Sequence, residues 1–417
     1  MASVSKRTWR TKAGKLSSGW VVKYFDQARK ERSQQFRTKR EAGAERIRIE
    51  GALSQGTHVP DGKTVREAAE SFLAYFEGLY KTGKKERSTY RAYEQHVRLH
   101  ILERSIANIL LARLTGADCA KFAKELDEDL SGAMALRVFG TFKTILAYSR
   151  RHQWILVDPT KEIKVERGNR HRVKIPSKSD LTRLLDAALK YDAQACDEKN
   201  NRDMGEDRNK NKRKAEAFVS LLLFGGLRIS ELLGMRRPDV EVDRRRVTVN
   251  QRADRWREIG RVKTEKSERT VPLPARAIAA IETWKSEGPA SDQDLLFPNG
   301  KGKVDFYQNV YKRLWLPLML LAGLAKKTTK VDGQGREKVE IKAKFAMHAL
   351  RHAAVSLWIE QGANPLHVQK WAGHSSVQFT LDVYGHLWND PVGDARIVDG
   401  AAQRLEENDI SRTSEPE

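Results

Sequence analysis

The chain reads as a multidomain protein, mainly α with small β elements: a small sheet-plus-helix N-terminal module, a helical middle domain and a mixed α+β C-terminal domain. Three observations predict this. Apolar residues recur at helical spacing through most of the chain, as in Phe72, Leu73 and Phe76. Strand-like alternation is confined to short runs near the N-terminus and between 246 and 273. The length of 417 residues allows two or three domains with cores of their own, at roughly 150 residues per domain.

In order along the chain, the first fifty residues carry 14 Lys/Arg against 5 Asp/Glu and form a basic module, placed at 1–58. Gly19–Asp26 has strand composition, Ser33–Phe36 reads as a second strand, and Thr38 caps a helix running towards Gly51. The segment has no sharp motif, so a basic, solvated extension without a site of its own stays open. A helical domain is expected over 62–160. Thr64-x-x-Glu67 forms a capping box before Ala68, Phe72, Leu73 and Phe76. Ser88 opens the next helix, and two more run from about Cys119 to Leu130 and from Met134 to Trp154.

Asp158–Pro176 is charged, broken by prolines and without apolar periodicity, which marks a domain boundary with a linker at 161–176. Ser177-x-x-Asp180 restarts helix and opens the third domain, 177–395. Asp192–Glu216 is highly charged and reads as an inserted loop. Three strands are expected at Arg246–Asn250, Ile259–Thr264 and Arg269–Leu273. A helix follows at Ala275–Lys285 and another around Val304–Leu324. Asp332-Gly333, flanked by alternating Val and Ile, predicts a hairpin within Ala325–Lys344. A tail, 396–417, closes the chain; from Asp399 to Glu417 it holds six acidic residues against two arginines.

Charge narrows the function classes. A formal net charge of +22 and a pI near 9.9 point to a polyanionic partner, with nucleic acid the natural one. No apolar run approaches the roughly 18 residues a membrane span needs, so no membrane is expected. Two isolated cysteines, Cys119 and Cys196, make neither a disulfide framework nor a four-ligand zinc site. With no signal peptide in view, a cytoplasmic, DNA-associated location is expected.

The chemistry concentrates between Phe345 and Trp388. His348 and Arg351 are three apart and share a helical face. Gly362-Ala-Asn-Pro365 breaks the helix, a second apolar run leads to Gly373-His374, and Tyr384 follows ten residues later. Such a set suits attack on a phosphodiester. A phenol is a poor nucleophile at its free pKa of about 10, so Tyr384 needs a base and a cationic setting, which His348 and Arg351 supply. His348 and His352 at i, i+4 also match half of a zinc helix, but Ala349 stands where the metalloprotease glutamate would be. Earlier in the chain an apolar helix ends at Gly225-Gly226 and another starts near Ser230-Glu231, which leaves Arg228 in the bend.

His348-Ala-Leu-Arg351, Gly373-His374 and Tyr384-Gly-His386, in that order, resemble the signature of the tyrosine recombinases, the phage-integrase family. Gly226-Leu-Arg-Ile-Ser-Glu-Leu232 resembles the family's first arginine box. Ala372, where a leucine is common, and Ala349, where an aspartate is, depart from the pattern. The resemblance runs from about Thr64 to Trp388 and is specific in the three boxes. It implies an arm-type DNA-binding module, a helical, SAM-like core-binding domain and a catalytic domain. It also implies that Arg228 and Arg351 clamp the scissile phosphate, with Glu231 orienting Arg228, and that Tyr384 attacks. His348 would take the phenolic proton and His374 would donate to a phosphate oxygen. Lys263, with Lys266 as rival, would protonate the leaving oxygen from a hairpin turn.

The implied activity is site-specific recombination through a 3′-phosphotyrosyl link, to integrate or excise a mobile element. No metal and no cofactor are called for. The implied partners are double-stranded DNA carrying recombination sites and three further copies of the chain, as a homotetramer on DNA, with room for DNA-bending accessory proteins. A type IB topoisomerase shares the same chemistry, and a non-catalytic DNA-binding regulator would share the charge. The separate N-terminal module and the Gly-His box favour recombination over the first. The coincidence of Tyr384 with both arginines favours it over the second.

Overall fold

Two units, Met1–His171 and Arg172–Glu417, make up the computed structural model. It describes residues 2–10, 16–25, 31–54, 63–165, 174–196, 214–262, 268–331, 337–388, 395, 398–400 and 402–403.

The first unit opens with three antiparallel strands in the order β1 (Ser3–Arg10), β2 (Leu16–Phe25) and β3 (Glu31–Phe36). The expected sheet had two strands. β1 escapes a pattern search because Lys6, Arg7 and Arg10 leave it exposed, without apolar alternation. From β2, Val22 and Tyr24 pack on Ala42 and Ile49 of the helix Lys39–Ser54. Thr38 and Glu41 exchange backbone-to-side-chain hydrogen bonds of 3.2 Å at the start of that helix.

Four helices follow, Val65–Lys81, Arg87–His96, Gly116–Asp129 and Gly132–Arg151. The Thr64–Glu67 capping box is formed. Phe72 lies at the centre of the core, with its ring 4.7, 5.2 and 5.7 Å from Phe76, Tyr93 and Tyr148. Two boundaries differ from expectation. Glu86, not Ser88, is the residue before the second helix, and Ser88 Oγ donates instead to the Glu86 carboxylate at 3.1 Å. The last helix stops at Arg151 because Gln153 takes a left-handed φ of 58°.

In the second unit Asp180 donates its backbone N–H to Ser177 Oγ at 3.1 Å near the start of Lys178–Cys196. The central element is Lys214–Leu223, whose residues are nearly all buried. Its first turn is held by Asp192, which accepts the N–H groups of Ala215 and Glu216 at 2.9 Å each. The expected insertion at Asp192–Glu216 is therefore helical at both margins, and 197–213 lie outside the described residues.

A sheet of β4 (Val240–Glu241), β5 (Arg246–Val249) and β8 (Arg269–Pro272) contributes to the same hydrophobic core, with Val247 opposite Val271. β6 (Gln251–Ala253) and β7 (Ile259–Arg261) form a separate hairpin. In the helix Ala275–Glu287, Trp284 stacks on Phe297 at 5.9 Å.

The single helix expected around Val304–Leu324 runs without interruption from Tyr307 to Leu321, widened by one π turn at Tyr311–Trp315. Pro317 fits this widening, since it has no N–H to give the Arg313 carbonyl. That carbonyl accepts the Tyr191 hydroxyl at 3.2 Å. β9 (Ala325–Val331) and β10 (Glu337–Ala343) pair antiparallel as the predicted hairpin; its Asp332-Gly333 turn lies outside the described residues. Three helices, His348–Glu360, Pro365–Ala372 and Val377–Tyr384, complete the unit. No helix among the described residues is long and apolar enough to cross a membrane.

Candidate active site

Two left-handed glycines set the geometry. Gly226, at φ 58°, turns the chain out of Lys214–Leu223 and puts Arg228 immediately before the helix Ile229–Gly234. A Cβ on Gly226 would lie 2.6 Å from the Trp358 ring, so the turn packs directly against the helix His348–Glu360. Gly373, at φ 62°, ends Pro365–Ala372 and brings His374 back beneath it. Asn364 Oδ1 caps the start of that helix through the His367 N–H at 2.8 Å.

These turns converge on Glu231. Its carboxylate accepts the Arg228 backbone N–H at 2.8 Å and the Arg228 guanidinium at 2.7 Å. From the other side Arg269 binds both carboxylate oxygens, at 3.0 and 2.7 Å. Arg269 Nε donates to the Trp371 carbonyl at 2.7 Å, and a second Arg228 nitrogen donates to the Gly373 carbonyl at 3.2 Å. Arg351, almost wholly buried, donates to the carbonyls of Gly226, at 2.7 Å, and Ala372. Two bends from distant parts of the chain are thus tied together by guanidinium forks.

Tyr384 is buried beside them, with its hydroxyl hydrogen-bonded to His352 Nδ1. The His374 ring lies parallel to the Tyr384 ring, 6.1 Å away, and His374 Nδ1 is fixed by the Thr380 hydroxyl at 2.9 Å. His348 meets His352 edge-on at 4.9 Å.

Three arginines face one carboxylate here, so the site carries surplus positive charge. Burial works against the Glu231 carboxylate, but Arg269, Arg228 and Arg351 outweigh it and hold the group down at about 2. Burial and the neighbouring Arg228 and Arg269 push the Arg351 guanidinium down to about 9. Burial, with Arg351, Arg228 and Arg269 adding to it, takes His374 down to about 3. Burial, with His348 and Arg351, takes His352 to about 4. Burial also lowers His348, helped by Arg351 and Arg228. Burial raises the Tyr384 phenol to about 12 against the pull of Arg351. An oxyanion placed here would relieve the strain on every cation at once.

The structure therefore brings together Arg228, His348, Arg351, His374 and Tyr384. It pairs the phenol with His352 and not with His348, because the tyrosine ring packs one helical turn further along, beside Val355 and Ile359. Lys263 and its rival Lys266 lie outside the described residues. Arg269 and Thr380 were not singled out in the sequence. For Arg269 a signal existed: strand alternation puts it on the same face as buried Val271, where a charge needs a partner.

Residues 194–389 match the family model described as the phage integrase family. Tyrosine recombinase XerC of Corynebacterium efficiens is 28% identical over 178 residues, which is 42% of this chain and 47% of that protein. The transposase from transposon Tn916 of Enterococcus faecalis is 29% identical over 185 residues, 41% of this chain and 42% of that protein. The matches to these curated relatives thus span somewhat under half of their length. The fold is shared with the Tn1549 transposon integrase, solved in complex with a circular intermediate DNA. That likeness has a TM-score of 0.58 at 18% identity and covers 82% of this chain and 99% of that one.

Proposed function

Residues 194–389 belong to the phage integrase family, and on that premise we propose that the protein is a tyrosine site-specific recombinase that cuts and rejoins duplex DNA to integrate or excise a mobile element. The observation that carries the proposal is that the Tyr384 hydroxyl bonds His352, the residue after Arg351 in one helix, while the Arg351 guanidinium bonds the Gly226 and Ala372 carbonyls at the two bends that Arg228 also joins. A guanidinium has five N–H donors. Among the described residues the guanidinium groups of Arg228 and Arg351 each donate two hydrogen bonds, and further N–H donors on each are what phosphate oxygens would take.

In the proposed reaction the Tyr384 oxygen attacks the scissile phosphorus in line. A 3′-phosphotyrosyl bond forms, the bond to the 5′ oxygen breaks, and a 5′ hydroxyl is released. Arg228 and Arg351 neutralise the non-bridging oxygens, where charge accumulates. His374, oriented by Thr380, donates to one of them, and His348 lies close enough to both arginines for them to shift its protonation. Lys263 is the proposed acid for the leaving oxygen. The phosphodiester energy stays in the protein-DNA bond, so an incoming 5′ hydroxyl can reverse the step without a nucleotide.

Exchange between two duplexes takes four cuts, and we propose four copies of the chain acting in pairs. The basic β1–β3 module serves as a second, arm-type contact to DNA. The activity is tested by incubating the protein with a random-sequence duplex library and recovering adducts that survive detergent. Recovery of one enriched sequence supports the proposal, and its site then serves all further assays.

A further inference from the structure

The recombinase chemistry leaves one half-buried residue at the site without a task. Among the described residues His352 is the hydrogen-bond partner of the Tyr384 hydroxyl, and it follows Arg351 directly in the same helix. Its ring is fixed on two sides, edge-on to His348 at 4.9 Å and tilted against the tyrosine ring at 5.9 Å. His348, Arg351 and His374 are the titratable and charged groups that sense it besides Tyr384. Burial, helped by His348 and Arg351, holds the imidazole in its neutral form at ordinary pH. A neutral imidazole has one N–H and one lone pair. With the phenol as donor, the lone pair is at Nδ1.

Building on the recombinase reading, we propose that His352 is the base that accepts the Tyr384 proton during strand cleavage, a role the sequence pattern assigned to His348. As the tyrosine O–H bond breaks, the proton passes to His352 Nδ1 and the freed electron pair forms the bond to phosphorus. The bond from phosphorus to the 5′ oxygen breaks in the same step, and that oxygen leaves with a proton from the site's acid. The imidazolium then faces Arg351, which disfavours it. The proton returns to the tyrosine when a 5′ hydroxyl attacks the adduct.

The test uses the full-length protein and the duplex recovered from the random library, nicked so that cleavage is trapped. Single-turnover adduct formation is measured for wild type, His352→Ala and His352→Asn, with and without imidazole, and noncovalent binding is followed by mobility shift. The proposal expects both variants to bind the duplex as wild type does and to cleave about 100-fold more slowly or worse. Imidazole should restore part of the rate to the alanine variant. His352→Asn keeps an acceptor near the phenol without a usable base, so its slow cleavage decides the matter even if the alanine variant fails to fold. Cleavage at the wild-type rate or faster by either variant would make the contact a latch and overturn the proposal. Slow cleavage by an alanine variant that imidazole cannot rescue would reduce His352 to a positioning residue and overturn it too. Absence of any adduct from wild type would instead sink the recombinase reading itself.

Discussion

Arg269 and Glu231 meet as a two-point ion pair, at 3.0 and 2.7 Å, with side chains only 1% and 2% exposed. Burying two charges is costly, and a pair at this depth is tolerated only when its geometry satisfies both partners. Arg269 also donates its Nε–H to the Trp371 carbonyl. It therefore serves as the rear support that holds the Arg228 bend and the Gly373 bend in register.

Replacing Arg269 by Met should destabilise the second unit by about 3 kcal/mol, the lower end for breaking a buried pair, because Arg228 still holds Glu231. Urea unfolding followed by tryptophan fluorescence measures it. Arg269→Lys should recover only part, since an ammonium cannot make the two-point contact. A variant as stable as wild type would show that the pair is not a structural support.

Acid should unfold this unit earlier than its carboxylate content suggests. Glu231 is held at about 2 against an ordinary 4.5. A depressed acid stabilises the fold fully above its unfolded value and loses that contribution as pH falls from about 4.5 towards 2, on the order of 3 kcal/mol in all. His374 is depressed from 6.5 to about 3, so the unfolded chain takes up its proton first, and stability starts to fall below about pH 6.5. Stability against pH for wild type and His374→Gln should differ in slope between those values. Parallel curves would contradict the histidine's part.

Gly226→Ala should damage both packing and chemistry. The residue sits at φ 58°, its added Cβ would meet the Trp358 ring at 2.6 Å, and its carbonyl is an acceptor for Arg351. A non-glycine residue in this region costs on the order of 1–3 kcal/mol, and the ring contact adds to it. Loss of adduct formation together with a lowered unfolding midpoint is expected.

Arg228→Lys and Arg351→Lys should each slow adduct formation about 100- to 1000-fold, the usual effect of removing one oriented donor to a developing charge. Mobility-shift binding should change far less. Equal losses in binding and cleavage would place these arginines in general DNA contact and not at the reacting phosphate.

Much of this was legible in the chain, for reasons that can be stated. His348, Arg351, His374 and Tyr384 lie within forty residues, where helical spacing and the Gly373 stop fix their common side. Arg228 could be read from the Gly225-Gly226 bend. The partners that link distant segments were not legible: Arg269 reaches Glu231 across 38 positions, and His352 reaches Tyr384 across 32. Nothing local marks such pairs, because a side chain's partner depends on how the segments dock. His352 was visible only as half of a metal-binding spacing. β1 was missed because an exposed, lysine- and arginine-rich strand lacks the alternation that reveals a buried one.

The central claim is that the Tyr384 oxygen becomes covalently joined to DNA. The direct measurement is mass spectrometry of the adduct after nuclease and protease digestion, on wild type and Tyr384→Phe. The account predicts a nucleotide remnant on the peptide that contains Tyr384 in wild type and no adduct from the phenylalanine variant. A remnant on any other residue, or an adduct that persists in Tyr384→Phe, would contradict it.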